Sequence, residues 1–272
     1  MDTIRIDIPV TSAEQGEIII AELSETGFHG FEENKNMLSA FIIEELFEEN
    51  SFQSVLAKLN VTYTKKTIAE SNWNQKWESE FFPTVIDSFV AIRAAFHAPI
   101  NGVEHEIVIT PKMSFGTGHH ATTYLMLQQM KEIDFKNKSV LDFGTGTGVL
   151  AILASKSGAH TITAIDNDEW SIANAGENIY ANKCNNILLL QKDSVKNLGT
   201  FDIILANINL NVIKENISAI KQACNSGADL LLSGFLLYDE DQLKRIFSLN
   251  EFQLKTVKQK DGWICMRLFV EK

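Results

Sequence analysis

The segment Leu141-Asp142-Phe143-Gly144-Thr145-Gly146-Thr147-Gly148 constrains this chain more than any other. Ser139 to Phe143 reads as a strand, Val149 to Lys156 as a helix, and the alternate glycines between them supply backbone that can turn sharply and approach a ligand closely. A strand that passes straight into a helix must be brought back by that helix, which yields an α/β sheet of mostly parallel strands. The pattern recurs downstream. Thr161 to Asp166, Asn186 to Gln191, Phe201 to Ala206 and Ala228 to Ser233 are expected strands, with helical stretches over Trp170 to Ala181, Leu210 to Ala223 and Glu240 to Ser248. The chain closes on two consecutive strands, Phe252 to Lys258 and Trp263 to Val270. Asp261-Gly262 between them is too short for a crossover and requires an antiparallel pair at the sheet edge.

A glycine-rich turn at a helix N-terminus offers bare N–H groups to a ligand. Asp166 ends the next strand 22 residues after Gly144, where a carboxylate can accept hydrogen bonds from both hydroxyls of a ribose. The two features together point to a nucleoside. A dinucleotide site expects GxGxxG, whereas the third glycine here comes one residue early and Asp142 would crowd a negative pyrophosphate. The sulfonium of S-adenosylmethionine tolerates that carboxylate, and the terminal hairpin also belongs to the methyltransferase version of this fold, so methyl transfer is favoured.

Asn207 leaves the fourth strand at the carboxyl edge, where its amide oxygen can hold a nucleophilic nitrogen, while Asn209 is suited to cap the helix from Leu210. The loop Ser114-Phe115-Gly116-Thr117-Gly118-His119-His120-Ala121-Thr122-Thr123 precedes an apolar helix and can wrap the ligand, with Thr123 facing it from the first turn. His119-His120 invites a metal reading. Adjacent side chains point apart, however, and no third ligand stands at useful spacing, so no metal is expected.

A different module precedes residue 70. Ile4, Ile6 and Ile8 alternate with polar residues in the strand Thr3 to Pro9, followed by a helix over Ala13 to Thr26 and strands over Phe28 to Glu33 and Met37 to Glu44 around Asn34-Lys35-Asn36. A helix over Ser51 to Leu59 and a strand over Val61 to Thr67 complete the β-α-β-β-α-β order of a small ferredoxin-like α+β domain. The expected organisation is this domain at 1–69, a linker at 70–85 studded with Trp73, Trp77, Phe81 and Phe82, and the Rossmann-like domain at 86–272.

Charge sharpens the division. Met1 to Asn50 holds 12 acidic residues against Arg5 and Lys35, a net of −10 of the chain's −11. That is either a solvated face or a docking surface for a basic partner, and it argues against general binding of nucleic acid or anionic membrane. No apolar run reaches the roughly 18 residues of a membrane span, and the start lacks a signal core, so a cytoplasmic monomer is expected. Cys184, Cys224 and Cys265 are about 40 residues apart and read as buried apolar side chains.

These segments, Asn72-Trp73-Asn74 with Trp77, Phe115-Gly116-Thr117-Gly118 through Thr123, Asp142 to Gly148, and Ala206-Asn207-Ile208, resemble in order and separation the bacterial methyltransferases of ribosomal large-subunit protein eleven, the PrmA family. The resemblance implies an N-terminal domain that binds the ribosomal protein and a catalytic domain that uses S-adenosylmethionine to methylate amines. It implies contacts to that cofactor from Thr123, Gly144, Asp166 and Asn207; Gly146 of the same turn is expected beside them, and Asn207, orienting the amine, is the expected catalytic residue. A nucleic-acid amine methyltransferase, a small-molecule amine methyltransferase and a non-enzymatic nucleotide-binding protein are the other readings. The first would expect prolines after Asn207 that this chain lacks.

Overall fold

In the computed structural model the chain forms two compact units, Met1–Phe81 and Phe82–Lys272. The structure describes residues 2–34, 36–59, 61–68, 81–112 and 114–271. Most of the expected linker, including Trp73 and Trp77, lies outside them, as does Lys35 of the expected turn. Thr84 and Val85, also expected in the linker, belong instead to a strand of the second unit.

The first unit runs β1 (Thr3–Pro9), α1 (Ala13–Ser24), β2 (Gly30–Asn34), β3 (Met37–Ile43), α2 (Glu49–Leu59) and β4 (Thr64–Ile68), with the antiparallel sheet order β2-β3-β1-β4. Its period-two pattern decides which face is buried. Ile4, Ile6 and Ile8 of β1 and Leu38, Ala40 and Ile42 of β3 pack with Ile19 and Leu23 of α1 and Phe52, Val55 and Leu56 of α2. Ser12 caps α1 by accepting from the Gln15 amide at 3.2 Å. β4 starts three residues later than the sequence suggests, because Val61 and Tyr63 pack on the core outside the ladder and leave the exposed strand Thr-Lys-Lys-Thr-Ile at the edge.

The second unit opens on a three-stranded sheet that the sequence did not lead us to expect: β5 (Thr84–Ile86), β6 (Val90–Ala94) and β7 (His105–Ile109). Then come α3 (Ala121–Met130), β8 (Ser139–Phe143), α4 (Val149–Lys156), β9 (Thr161–Asp166), α5 (Glu169–Ala181), β10 (Ile187–Gln191), β11 (Phe201–Asn207), α6 (Leu210–Gln222), β12 (Cys224–Leu236), α7 (Glu240–Leu249), β13 (Phe252–Lys260) and β14 (Trp263–Val270). The sheet order is β10-β9-β8-β11-β12-β14-β13. Pairs from β10 through β12 are parallel, and β14 is antiparallel to both β12 and β13. Asp261 and Gly262, both with positive φ, make the tight turn of the terminal hairpin.

Every residue of α4 from Val149 to Ala154 is buried, as expected for a helix pressed on a parallel sheet. β12 begins four residues before the expected Ala228. The polar start Cys224-Asn225-Ser226-Gly227 has no alternation to read, yet Cys224 pairs with Phe201. Cys184 and Cys265 are buried; Cys224 is half-buried, contrary to expectation, because it sits at that strand start. Burial pushes the Cys224 and Cys265 thiols up to about 12. Among the described residues no helix is long and apolar enough to cross a membrane.

Candidate active site

The strand order reverses on either side of β8, and there, outside the carboxyl ends of the strands, lies a cavity of about 520 Å³. The glycine turn after β8 supplies Gly144 and Gly146 to its wall; β9 supplies Asp166 and Asn167, β10 Lys192 and Asp193, and β11 Asn207, Ile208 and Asn209. Phe115, Ser171 and one side of α6 complete it.

The turn is fixed by its own backbone. Gly144 and Thr145 donate to the Ile165 carbonyl at 2.8 and 2.9 Å, and Gly146 donates to Asp166 Oδ2 at 2.9 Å. Asp166 Oδ1 accepts from the Asp168 amide at 3.1 Å. Beneath the turn, fully buried Asp142 accepts from the Thr145 hydroxyl at 2.6 Å and the Ala151 amide at 3.2 Å, while its Oδ1 has no partner. Desolvation raises its pKa to about 7 against those two hydrogen bonds. A carboxyl group held there in place of a donor disfavours a pyrophosphate above it.

At the end of the adjacent strand β11, the Asn207 amide nitrogen donates to Thr123 Oγ1 at 3.2 Å, leaving Asn207 Oδ1 buried and unpartnered. Thr123 is 1% exposed and does not line the cavity; its hydroxyl holds the Asn207 side chain instead. Two glycines grip the next residue. A Cβ on Gly144, at φ +76°, would lie 2.3 Å from Ile208 Cγ2, and one on Gly234, at φ +100°, would lie 2.2 Å from the Ile208 carbonyl oxygen. The Ile208 amide donates to Ser233 at 3.1 Å. Asn209 lines the cavity and caps α6, accepting from the Val212 amide at 3.1 Å.

His119 and His120 do not converge. His119 Nε2 is 2.7 Å from the Phe82 carbonyl, whereas His120 caps α3 and meets Phe115 and Trp263 edge-to-face at centroid distances of 5.1 and 4.8 Å. Among the described residues no cluster of three metal-ligating side chains occurs. Sequence reasoning missed Lys192, Asp193, Ser171 and Gly234. Lys192-Asp193 had a usable signal, a polar pair directly after an apolar strand; Gly234 had none, since what it approaches is 26 residues away.

The residues present suit S-adenosylmethionine: bare glycine backbone, a strand-end carboxylate, and an orphaned amide oxygen at the same cavity, with an acid rather than a base under the turn. A sheet of this order and hairpin, carrying such a cavity, defines a Rossmann-like S-adenosylmethionine-dependent methyltransferase. A model of the ribosomal protein L11 methyltransferase family (PrmA) matches residues 10–270, and the chain belongs to that family. It is 36% identical to the ribosomal protein L11 methyltransferase of Bacteroides thetaiotaomicron over 92% of each chain. It is 38% identical to that of Chlorobaculum tepidum, over 91% of this chain and 90% of the relative. The crystal structure of the ribosomal protein L11 methylase from Lactobacillus delbrueckii subsp. bulgaricus is similar with a TM-score of 0.66 and 26% identity, over 71% of this chain and all of that one.

Proposed function

We propose that the cavity binds S-adenosylmethionine and that the chain methylates amino groups of ribosomal protein L11, lysine ε-amines first and the N-terminal amine as a further acceptor. The observation that carries this reading is the buried, unpartnered Oδ1 of Asn207, a residue of the same cavity wall as Gly144, Gly146 and Asp166. An orphaned acceptor costs about 1–3 kcal/mol unless a ligand donor meets it, and an amine N–H is such a donor. Gly144, Gly146 and Asp166 hold the nucleoside; the Thr123 hydroxyl holds the Asn207 side chain. When bound, the cofactor supplies a methyl group on a sulfonium, open to in-line attack by nitrogen. The chain's own part is alignment and exclusion of water. A lysine amine ionises near 10.4 in water, and the apolar side chains of Phe115, Phe143 and Ile208 in the cavity wall favour its neutral form.

The acidic first unit recruits the basic substrate. Glu44, Glu45 and Glu48 are exposed, while Glu49 is engaged by Lys65 at 2.9 Å. The reading carries with it a monomeric cytoplasmic enzyme that does not act on nucleic acid directly. Incorporation of labelled methyl from S-adenosylmethionine into L11, ribosomal RNA and free amino acids tests it. Label in L11, lost on replacing Asn207 with alanine, is the expected result; label confined to RNA or amino acids overturns it.

A further inference from the structure

Three asparagines at four-residue intervals, Asn174, Asn178 and Asn182, line one side of α5 and its C-cap, and the first two are fully buried. They stand in for a neighbouring strand. Asn182 Oδ1 accepts from the Val108 amide at 3.0 Å and its Nδ2 donates to the Val108 carbonyl at 2.6 Å. Two residues on, the Thr110 amide donates to Asn178 Oδ1 at 2.7 Å and the Thr110 carbonyl accepts from Asn174 Nδ2 at 3.0 Å. The fit is geometric, since four residues of helix rise about 6 Å and two residues of strand about 6.6 Å.

Asn178 does one thing its neighbours do not. Its Nδ2 donates to the Thr147 carbonyl at 2.8 Å, inside the glycine turn. Thr147 in turn donates from its amide to the Phe115 carbonyl at 2.9 Å and from its hydroxyl to the Gly116 carbonyl at 2.8 Å. Thr110, Asn178, Thr147 and Phe115 therefore close a ring with the chain from 110 to 115. Asn178 and Thr147 are both fully buried, so water cannot replace a lost partner. Phe115 is the member of this ring that reaches the cavity wall.

We propose that Asn178 is a positioning residue for methyl transfer, setting the Phe115 side chain at the cavity wall by tying Thr110 to Thr147. The assignment rests on reading the cavity as the methyl-transfer site. Asn178→Asp keeps the acceptor for Thr110 and replaces the donor to Thr147 with an oxygen, without changing shape. In the full chain, with L11 and labelled S-adenosylmethionine, kcat should fall about tenfold, in line with the loss of a buried hydrogen-bond partner. Calorimetric affinity for the cofactor should change by less than about threefold. If Asn178 acts through Phe115, the same substitution made in a Phe115→Ala background should lower kcat less than about twofold further.

An unchanged kcat, or an equal loss in both backgrounds, would overturn the assignment. Should Asn178→Asp fail to give the native circular dichroism spectrum, Asn178→Ala, which removes both bonds without placing an acid in the core, is put through the same cycle, where a loss in the parent that is absent beside Phe115→Ala supports the assignment and an unchanged kcat, or an equal loss in both, overturns it. A parent enzyme that transfers no methyl to L11 defeats the reading of the cavity instead.

Discussion

Replacing Gly234 with alanine perturbs the site from the neighbouring strand, β12. At φ +100° an L-residue is strained by roughly 1–2 kcal/mol. The new Cβ would lie 2.2 Å from the Ile208 carbonyl oxygen and 2.7 Å from its carbon, both backbone atoms that no rotamer change can move aside. Ordinary contact begins near 3.4 Å, so the Ile208 peptide must retreat by about 1.2 Å. That motion strains the bond from Ile208 to Ser233, worth about 1 kcal/mol, and brings the whole loss to about 2–3 kcal/mol. The melting temperature should fall by roughly 4–12 °C.

The larger effect is on rate. Asn207 precedes the displaced peptide, and a misplacement of about 1 Å at a reacting group costs on the order of a hundredfold. The assay is kcat at saturating cofactor and L11, at a temperature where circular dichroism shows the variant fully folded. Cofactor affinity, set largely from the Asp166 wall, should change little. A folded Gly234→Ala protein with parental kcat would refute the claim that this glycine fixes Asn207.

Asp166→Ala should weaken S-adenosylmethionine binding by about 1–3 kcal/mol, since it loses a charged acceptor for the ribose and a tether to Gly146; equal calorimetric affinities would remove the assignment. Asp142 binds a proton in the folded chain between its ordinary 3.8 and about 7, so its contribution to stability is full below the lower value and lost as pH rises through the upper. Asp142→Asn should therefore be more stable than the parent near pH 8, with the gap closing toward pH 4, and a pH-independent gap in melting temperature would contradict this. Raising ionic strength should lower methylation at subsaturating L11, and charge reversal at Glu44, Glu45 and Glu48 should flatten that dependence. Superimposable salt curves for variant and parent would end the docking role of these residues.

What could be read from the chain alone was local. The strand-turn-helix at Asp142 to Gly148, the carboxylate at Asp166 and the tight turn at Asp261-Gly262 each follow from neighbours in sequence, and so did the sheet and its edge hairpin. β5, β6 and β7 escaped notice because Val90 to Ala94 is buried on both faces and shows no alternation. Thr123 illustrates a different limit. Its place on the first turn of α3 was legible, but whether its hydroxyl meets a ligand or another side chain depends on β11, 84 residues away. The Asn174-Asn178-Asn182 spacing carries no signal in the sequence, since helix asparagines usually face solvent and only burial reveals these as partners for a strand.

That arrangement bears on how the protein behaves when concentrated. The outer edge of β7 would ordinarily template pairing with another chain. The main-chain groups of Val108, and of Thr110 just past the strand, are already consumed by side-chain amides from a helix, and a helix offers an incoming strand no ladder to extend. The opposite edge strand, β5, is three residues long. The small sheet that carries the loop to Phe115 is thereby sealed against edge-to-edge aggregation by three carboxamides instead of by charge, a protection that neither salt nor pH can screen away.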